Sequence, residues 1–271
     1  MRLKEFLYLA GFKPSLKIYP SEKVRIETPE RIVNFQNWLA PKQLPYELDE
    51  EEIVELKTFL SEGDMAIDIG AHIGDSTLPI ALACGSEGLV LAFEPNPVTF
   101  QILAINSSYN LRKTNIIAYP FAVTELDKSL LFDYGDPWLA NGGDHTGQSK
   151  WSHGSAFTIP VQGKNILPLL DEKYADSLAR LRYIKIDVEG NDYSVIRALT
   201  PLIEKYRPYI KMELSWTTSD DDRTSAWKYF QDSKYEVRIV SGRKTLFGSL
   251  AIEQDFFTTK TIDVFAIPRQ I

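Results

Sequence analysis

The chain has 271 residues, 44% hydrophobic and 25% charged, which suits one large core or two small ones and excludes wholesale disorder. Its formal charge of −7 offers no basic footprint for nucleic acid, so none is expected as a partner. The lone Cys84 excludes a disulfide framework, and with only His72, His145 and His153 beside it no resident metal is expected. No apolar run reaches the ~18–20 residues that span a bilayer. The opening MRLKEFLYLAGFKP lacks a cleavage site, so a soluble, cytoplasmic protein without stable membrane insertion is expected.

Residues 1–46 carry eight Lys/Arg against four Asp/Glu, which leaves −11 on the remainder. A basic arm for an acidic partner or membrane surface is one reading; a solvated extension packing across the main domain is the other. The basic residues are scattered among Phe, Leu, Tyr and Trp, which favours the second. Residues 1–47 are therefore taken as an N-terminal extension and 48–271 as the main domain. At 49–60, Ile53, Leu56, Phe59 and Leu60 have helical spacing behind an acidic first turn, and Gly63 ends the segment. A buried strand is expected over 65–70, a helix over 76–84 stopped by Gly85, a strand over 89–94 and a helix from Pro97 to about Tyr109. Strands follow at 115–123, 182–189 and 208–214, with a helix near 191–199. This alternation implies a doubly wound, mostly parallel α/β sheet covered on both faces. Segments 235–240 and 261–268 have no strong helix between them and read as a closing antiparallel pair. Between 135 and 163 there is no sustained period, only six glycines, Trp138, Trp151, His145 and His153. A loop this long is more often functional than decorative, and a substrate-binding lid is expected there.

Chemistry concentrates at the strand ends. In DIGAHIG, a strand delivers Asp68 and the chain turns through Gly70 and Gly74, where backbone can approach a ligand closely. Glu94 ends the next strand, placed to accept both hydroxyls of a ribose, as in dinucleotide and S-adenosylmethionine sites. The turn lacks GxGxxG, and an acidic residue two positions before Gly70 suits a cationic methionyl group better than a pyrophosphate. On a strand, Lys185, Asp187 and Glu189 project to one face, and such charges are tolerable in a covered sheet only at its open carboxyl edge or in mutual pairs. His145 competes with Asp187 and Glu189 as general base, because its reference pKa of ~6.5 leaves it largely neutral at pH 7. A metal-assisted variant using Asp187, Glu189 and His145 stays open. So do a nicotinamide-dependent oxidoreductase on a related sheet and a non-catalytic S-adenosylmethionine-binding module.

DIGAHIG, AFEPNP, Asn106 and Asn110 in LAINSSYN, IKIDVEGND, RPYIKMEL and VFAIP together resemble the FkbM family of S-adenosylmethionine-dependent methyltransferases, in order over roughly 48–268. The resemblance implies a class I methyltransferase (Rossmann-like) fold, with an antiparallel strand near the C-terminus. It also implies O-methylation of a small-molecule or carbohydrate hydroxyl, with S-adenosylhomocysteine as product. Carried over, Asp68, Gly70, Ala71, His72 and Gly74 form the cofactor loop, Glu94 binds ribose, and Pro95 and Asn96 shape the adenine side. Ala122 and Asp187 complete the cofactor set, and GGDH (142–145) resembles the family's Gly-Asp-His segment. Two positions depart: His72 stands where the family usually has Asn, and Thr146 where a basic residue commonly follows the His.

Overall fold

A computed structural model describes residues 15–41, 43–134, 137, 139, the backbone of 142–144, 157–240, 245–257 and 260–269. The extension forms a hairpin, β1 (Ser21–Glu27) against β2 (Ile32–Trp38). Alternation on β2 turns Val33, Phe35 and the end residue Trp38 into a small core with Ile53, Ile73, Leu78 and Ile102. Two asparagines fasten the hairpin edge. Asn106 accepts from the Gln36 N–H (2.6 Å) and donates to the Ile73 carbonyl (2.8 Å), and Asn110 exchanges two bonds of 2.9 Å with the Asn34 backbone. These two residues belong to the motif set noted in the sequence, and their visible work is to tie the extension to the main domain.

The main domain proceeds through α1 (Glu50–Leu56), capped by Asp49, then β3 (Met65–Ile69), α2 (Thr77–Cys84), β4 (Leu89–Phe93) and α3 (Pro97–Ser107). Next come β5 (Ile116–Tyr119), β6 (Ala122–Val123), β7 (Lys128–Tyr134), β8 (Gly142–Asp144) and β9 (Phe157–Lys164). Two short helices, α4 (Leu167–Lys173) and α5 (Ala175–Leu178), lead to β10 (Leu181–Ile186) and α6 (Asp192–Tyr206). The chain closes with β11 (Tyr209–Leu214), α7 (Asp220–Asp232), β12 (Tyr235–Ile239) and β13 (Ile262–Pro268).

Seven strands form the central sheet in the order β12-β13-β11-β10-β3-β4-β5. Neighbours from β11 to β5 pair in parallel, and β13 inserts antiparallel between β11 and β12. This is the class I methyltransferase arrangement. β3 and β4 are buried at every position and, Asp68 apart, apolar throughout, as strands covered on both faces require.

Four expectations need correction. The strand expected over 115–123 breaks at Pro120, which has no N–H for the ladder, so β5 and β6 belong to different sheets. The strand expected to reach residue 189 ends at Ile186, because Glu189 and Gly190 take left-handed backbone (φ 58° and 112°). The helix near 191–199 continues to Tyr206 through Pro201. Finally, part of the stretch expected to be irregular is strand: β9 pairs with β7 and β6 in a second sheet of order β6-β9-β7-β8. Trp138, Trp151, His145 and His153 of that stretch lie outside the described residues.

Candidate active site

The carboxyl ends of β3, β4 and β10 meet at Gly70. Its N–H and that of Ala71 donate to the Phe93 carbonyl (3.0 and 3.1 Å), joining β3 to β4. Gly70 has φ 78°, and a Cβ there would lie 1.8 Å from the Asp187 carbonyl oxygen. Only glycine fits so tight a junction.

Asp68 does not reach the ligand side. It is fully buried, its Oδ2 accepts from the hydroxyls of Ser76 (2.8 Å) and Thr77 (2.6 Å), and its Oδ1 faces Lys185 Nζ at 3.4 Å. Direct pairing of Asp68 with a cationic ligand is thereby corrected, since the protein's own lysine occupies that role. Lys185 Nζ also lies 3.3 Å from Asp187 and donates to the Gly70 carbonyl (3.2 Å). Burial alone would discharge this amine, but Asp68, Asp187 and Asp75 outweigh it and hold its pKa above the ordinary lysine value. The lysine–carboxylate pairing weighed from the sequence is therefore real and includes Asp68.

Glu94 is buried at the end of β4. Its Oε2 accepts from the His72 N–H (2.9 Å) and its Oε1 from the Asn96 N–H (2.8 Å). Burial pushes the carboxyl upward, while His72 and the two N–H groups pull it back. Asn96 caps α3 through the Val98 N–H (2.9 Å), and its amide donates to the Leu139 carbonyl (2.7 Å). His72 adopts φ 49°, a conformation His tolerates better than most residues, and its ring sits edge-on to Trp38 at 6.0 Å. Its buried Nε2 has no hydrogen-bond partner.

Beyond β10, fully buried Asp192 accepts from the N–H groups of Val188 (2.9 Å) and Gly190 (3.0 Å), fixing the turn that carries Asp187 and Glu189. Burial, with Asp187 adding, pushes the Asp192 carboxyl up to about 7 against these N–H groups. Burial and Asp187 also raise Glu189.

These elements surround a cleft of about 800 Å³. Gly70, His72, Glu94, Pro95, Asn96 and Ala122 line it, and Asp187 and Glu189 line it from the turn after β10. Ala71 and Gly74 do not. Ala71 packs inward with Ala92 and Leu103, and a Cβ on Gly74 would meet Leu103 at 3.1 Å, so both serve turn and helix packing. His145 lies outside the described residues. Sequence reasoning missed the wall made by Leu130, Phe132 and Tyr134 of β7, although their period-two spacing was a strand signal. It also missed Asp75, Lys211 and Asp263, whose place depends on pairing between distant segments. Among the described residues, no group of three His, Cys, Asp or Glu side chains is placed to hold a metal ion, and no helix is long and apolar enough to cross a membrane.

A model of the methyltransferase FkbM domain matches residues 68–238. The chain belongs to the FkbM methyltransferase family. The nicotinamide-dependent alternative is thereby set aside. FkbM members use S-adenosylmethionine, and the glycine junction with the pre-set Glu94 carboxylate fits that cofactor's ribose. Among curated proteins, the chain is similar to the hexuronic acid methyltransferase AglP of Haloferax volcanii, 24% identical over 66% of each chain. Among solved structures it is similar to methyltransferase FkbM of Methylobacillus flagellatus, with TM-score 0.47, 14% identity and coverage of 76% of this chain and 44% of that one. It is also similar to an S-adenosylmethionine-dependent O-methyltransferase of Thermotoga maritima, with TM-score 0.42, 11% identity and coverage of 93% and 79%. The chain thus aligns to only part of the first relatives' length.

Proposed function

We propose that the protein binds S-adenosylmethionine and transfers its methyl group to a hydroxyl oxygen of a small molecule or sugar. The observation that carries this reading is the Glu94 carboxylate. Two backbone N–H groups hold it at the end of β4, beside Gly70, with the Thr99 hydroxyl next to them, and the carboxylate keeps acceptor capacity for ribose hydroxyls. When bound, the cofactor supplies an activated methyl on a sulfonium. The protein's own part is to align the acceptor oxygen, exclude water and take the hydroxyl proton. Asp187 and Glu189 line the cleft from the turn after β10. The raised Glu189 carboxyl makes it a better proton acceptor near neutral pH than an ordinary glutamate. His145, on the segment between β8 and β9, is the first candidate base, with Asp187 and Glu189 next. A hexuronic acid relative is consistent with a carbohydrate acceptor.

The test incubates the protein with labelled S-adenosylmethionine and a metabolite extract, and follows label into products by mass spectrometry. His145→Ala is expected to cut kcat by ~10²-fold or more with cofactor affinity intact. A silent His145→Ala beside a crippled Asp187→Asn would reverse the roles. Absence of both S-adenosylhomocysteine binding and turnover would end the reading, and binding without turnover on any acceptor would leave a non-catalytic module.

A further inference from the structure

The hairpin β1–β2 precedes residues 68–238, the segment matched to the FkbM family, so family membership does not explain it. Its contacts converge on the cofactor loop. Trp38, at the end of β2, is 2% exposed, and its indole meets the His72 imidazole at 6.0 Å between centroids with the planes at 63°, an edge-to-face pair. Ile73, the next residue of the loop, packs into the hairpin's small core with Val33, Phe35 and Trp38. Asn106 closes the arrangement from α3. Its amide donates to the carbonyls of Ile73 (2.8 Å) and Gln36 (3.2 Å), and its oxygen accepts from the Gln36 N–H (2.6 Å). One asparagine therefore ties the loop and the hairpin to α3 at once.

The loop in turn holds the acid. The His72 N–H donates to Glu94 Oε2 (2.9 Å), and both residues line the cleft. His72 makes this bond from left-handed backbone, φ 49°, a conformation that persists away from glycine only where the surroundings fix it. The ring packed against Trp38 supplies such a restraint. The same hairpin also reaches the cleft by a second route. Asn37 accepts from the Tyr46 N–H (3.0 Å) and Phe35 stacks on the Tyr46 ring at 4.1 Å, which sets Tyr46 in the cleft wall.

Resting on the reading of this cleft as an S-adenosylmethionine site, we propose that the N-terminal hairpin is a working part of it, with Trp38 as a positioning residue that holds His72 and, through the His72 N–H, the Glu94 carboxylate. Coupling of this kind is reciprocal: a docked hairpin favours bound cofactor, and bound cofactor favours a docked hairpin.

The test reads S-adenosylhomocysteine binding to the full chain by calorimetry and hydrogen exchange. Trp38→Leu keeps an apolar side chain and removes the ring, and should weaken binding at least about fivefold, the lower end of typical coupling between sites. Trp38→Phe restores a ring edge and should stay within about twofold of wild type. Leu202→Ala, buried in the core under α6, should lower Tm yet leave the Kd within about twofold, which separates positioning from general destabilisation. In a His72→Asn background the ring contact is already gone, so Trp38→Leu should there change the Kd less than about twofold. In the wild-type protein, S-adenosylhomocysteine should slow exchange over residues 33–38 more than over the remote α7. That last readout needs no variant to fold. Wild-type affinity in Trp38→Leu, or exchange over 33–38 that does not respond to binding, overturns the coupling while the cofactor reading stands. A full-sized Trp38→Leu effect in the His72→Asn background overturns the route through His72. Failure of S-adenosylhomocysteine to bind the wild-type chain removes the cofactor reading and this inference with it.

Discussion

Glu94 gives the sharpest test of the cofactor site. A carboxylate offers about four lone-pair positions, and the His72 and Asn96 N–H groups take one on each oxygen. The Thr99 hydroxyl also hydrogen-bonds the carboxylate, which leaves one position for a ribose hydroxyl and a second when Thr99 turns to the Asn96 carbonyl, which it reaches at 3.3 Å. Glu94→Gln keeps one oxygen and turns the other into a donor, so one charge-assisted bond is lost, typically about 1.5–3 kcal/mol. That corresponds to S-adenosylhomocysteine binding weakened between about ten- and 150-fold. Glu94→Ala loses both bonds and leaves two backbone N–H groups without their acceptor, so it should cost at least as much affinity and also lower Tm. Calorimetry measures the affinities, and thermal melts separate binding from folding. The pH dependence adds a check. Burial raises the Glu94 carboxyl, so wild-type binding should weaken as pH falls through that raised value, and the Gln variant should lack this component. Unchanged affinity in both variants would refute the placement of ribose at Glu94 and, with it, the cofactor geometry.

Two other perturbations follow from buried polar groups. Asn106→Leu removes the ties to Gln36 and Ile73 and should destabilise the protein by about 1–3 kcal/mol, with earlier hydrogen exchange or proteolysis within 21–38 than elsewhere. Asp192 has a folded pKa of about 7 against 3.8 for an ordinary aspartate, so the folded state binds the extra proton between these values and stability falls as pH rises from about 4 to 7. Asp192→Asn should flatten that part of the Tm–pH curve, and an unchanged slope would contradict the buried assignment.

The parts legible in the sequence are those set by local pattern. MAIDI and LVLAF read as strands because both sheet faces are covered and every position is apolar or inward, and Gly85 and Pro97 mark helix ends by backbone chemistry alone. What escaped depends on partners far along the chain. β9 contains Pro160 and Gly163, which weaken any strand signal, and it exists because β7 supplies its ladder. Asp68 was legible as a strand-end acid, but no local feature says whether such an acid faces a ligand or the lysine on the neighbouring strand. Register decides it: Asp68 pairs opposite Lys185. Gly70 carries a similar lesson. Read locally, Gly70→Val should block a ligand and spare the fold; in three dimensions its Cβ would strike the Asp187 carbonyl, so the junction itself would give way.

The buried lysine raises the question of why the sheet tolerates it. Three charged groups, Asp68, Lys185 and Asp187, sit in or beside the core of a covered sheet, where an apolar set of similar volume would often be equally stable or more so. Stability therefore does not account for them. Geometry does. One ammonium reaches the Gly70 carbonyl, the Asp68 carboxylate that anchors the start of α2, and the Asp187 carboxylate that opens into the cleft. A change in any one of these is expected to shift the other two. Apolar side chains would leave the glycine turn and Asp187 free to move independently, whereas methyl transfer needs cofactor and acceptor aligned along a single line. The stability forgone in burying Lys185 corresponds to that fixed relation between the two halves of the cleft.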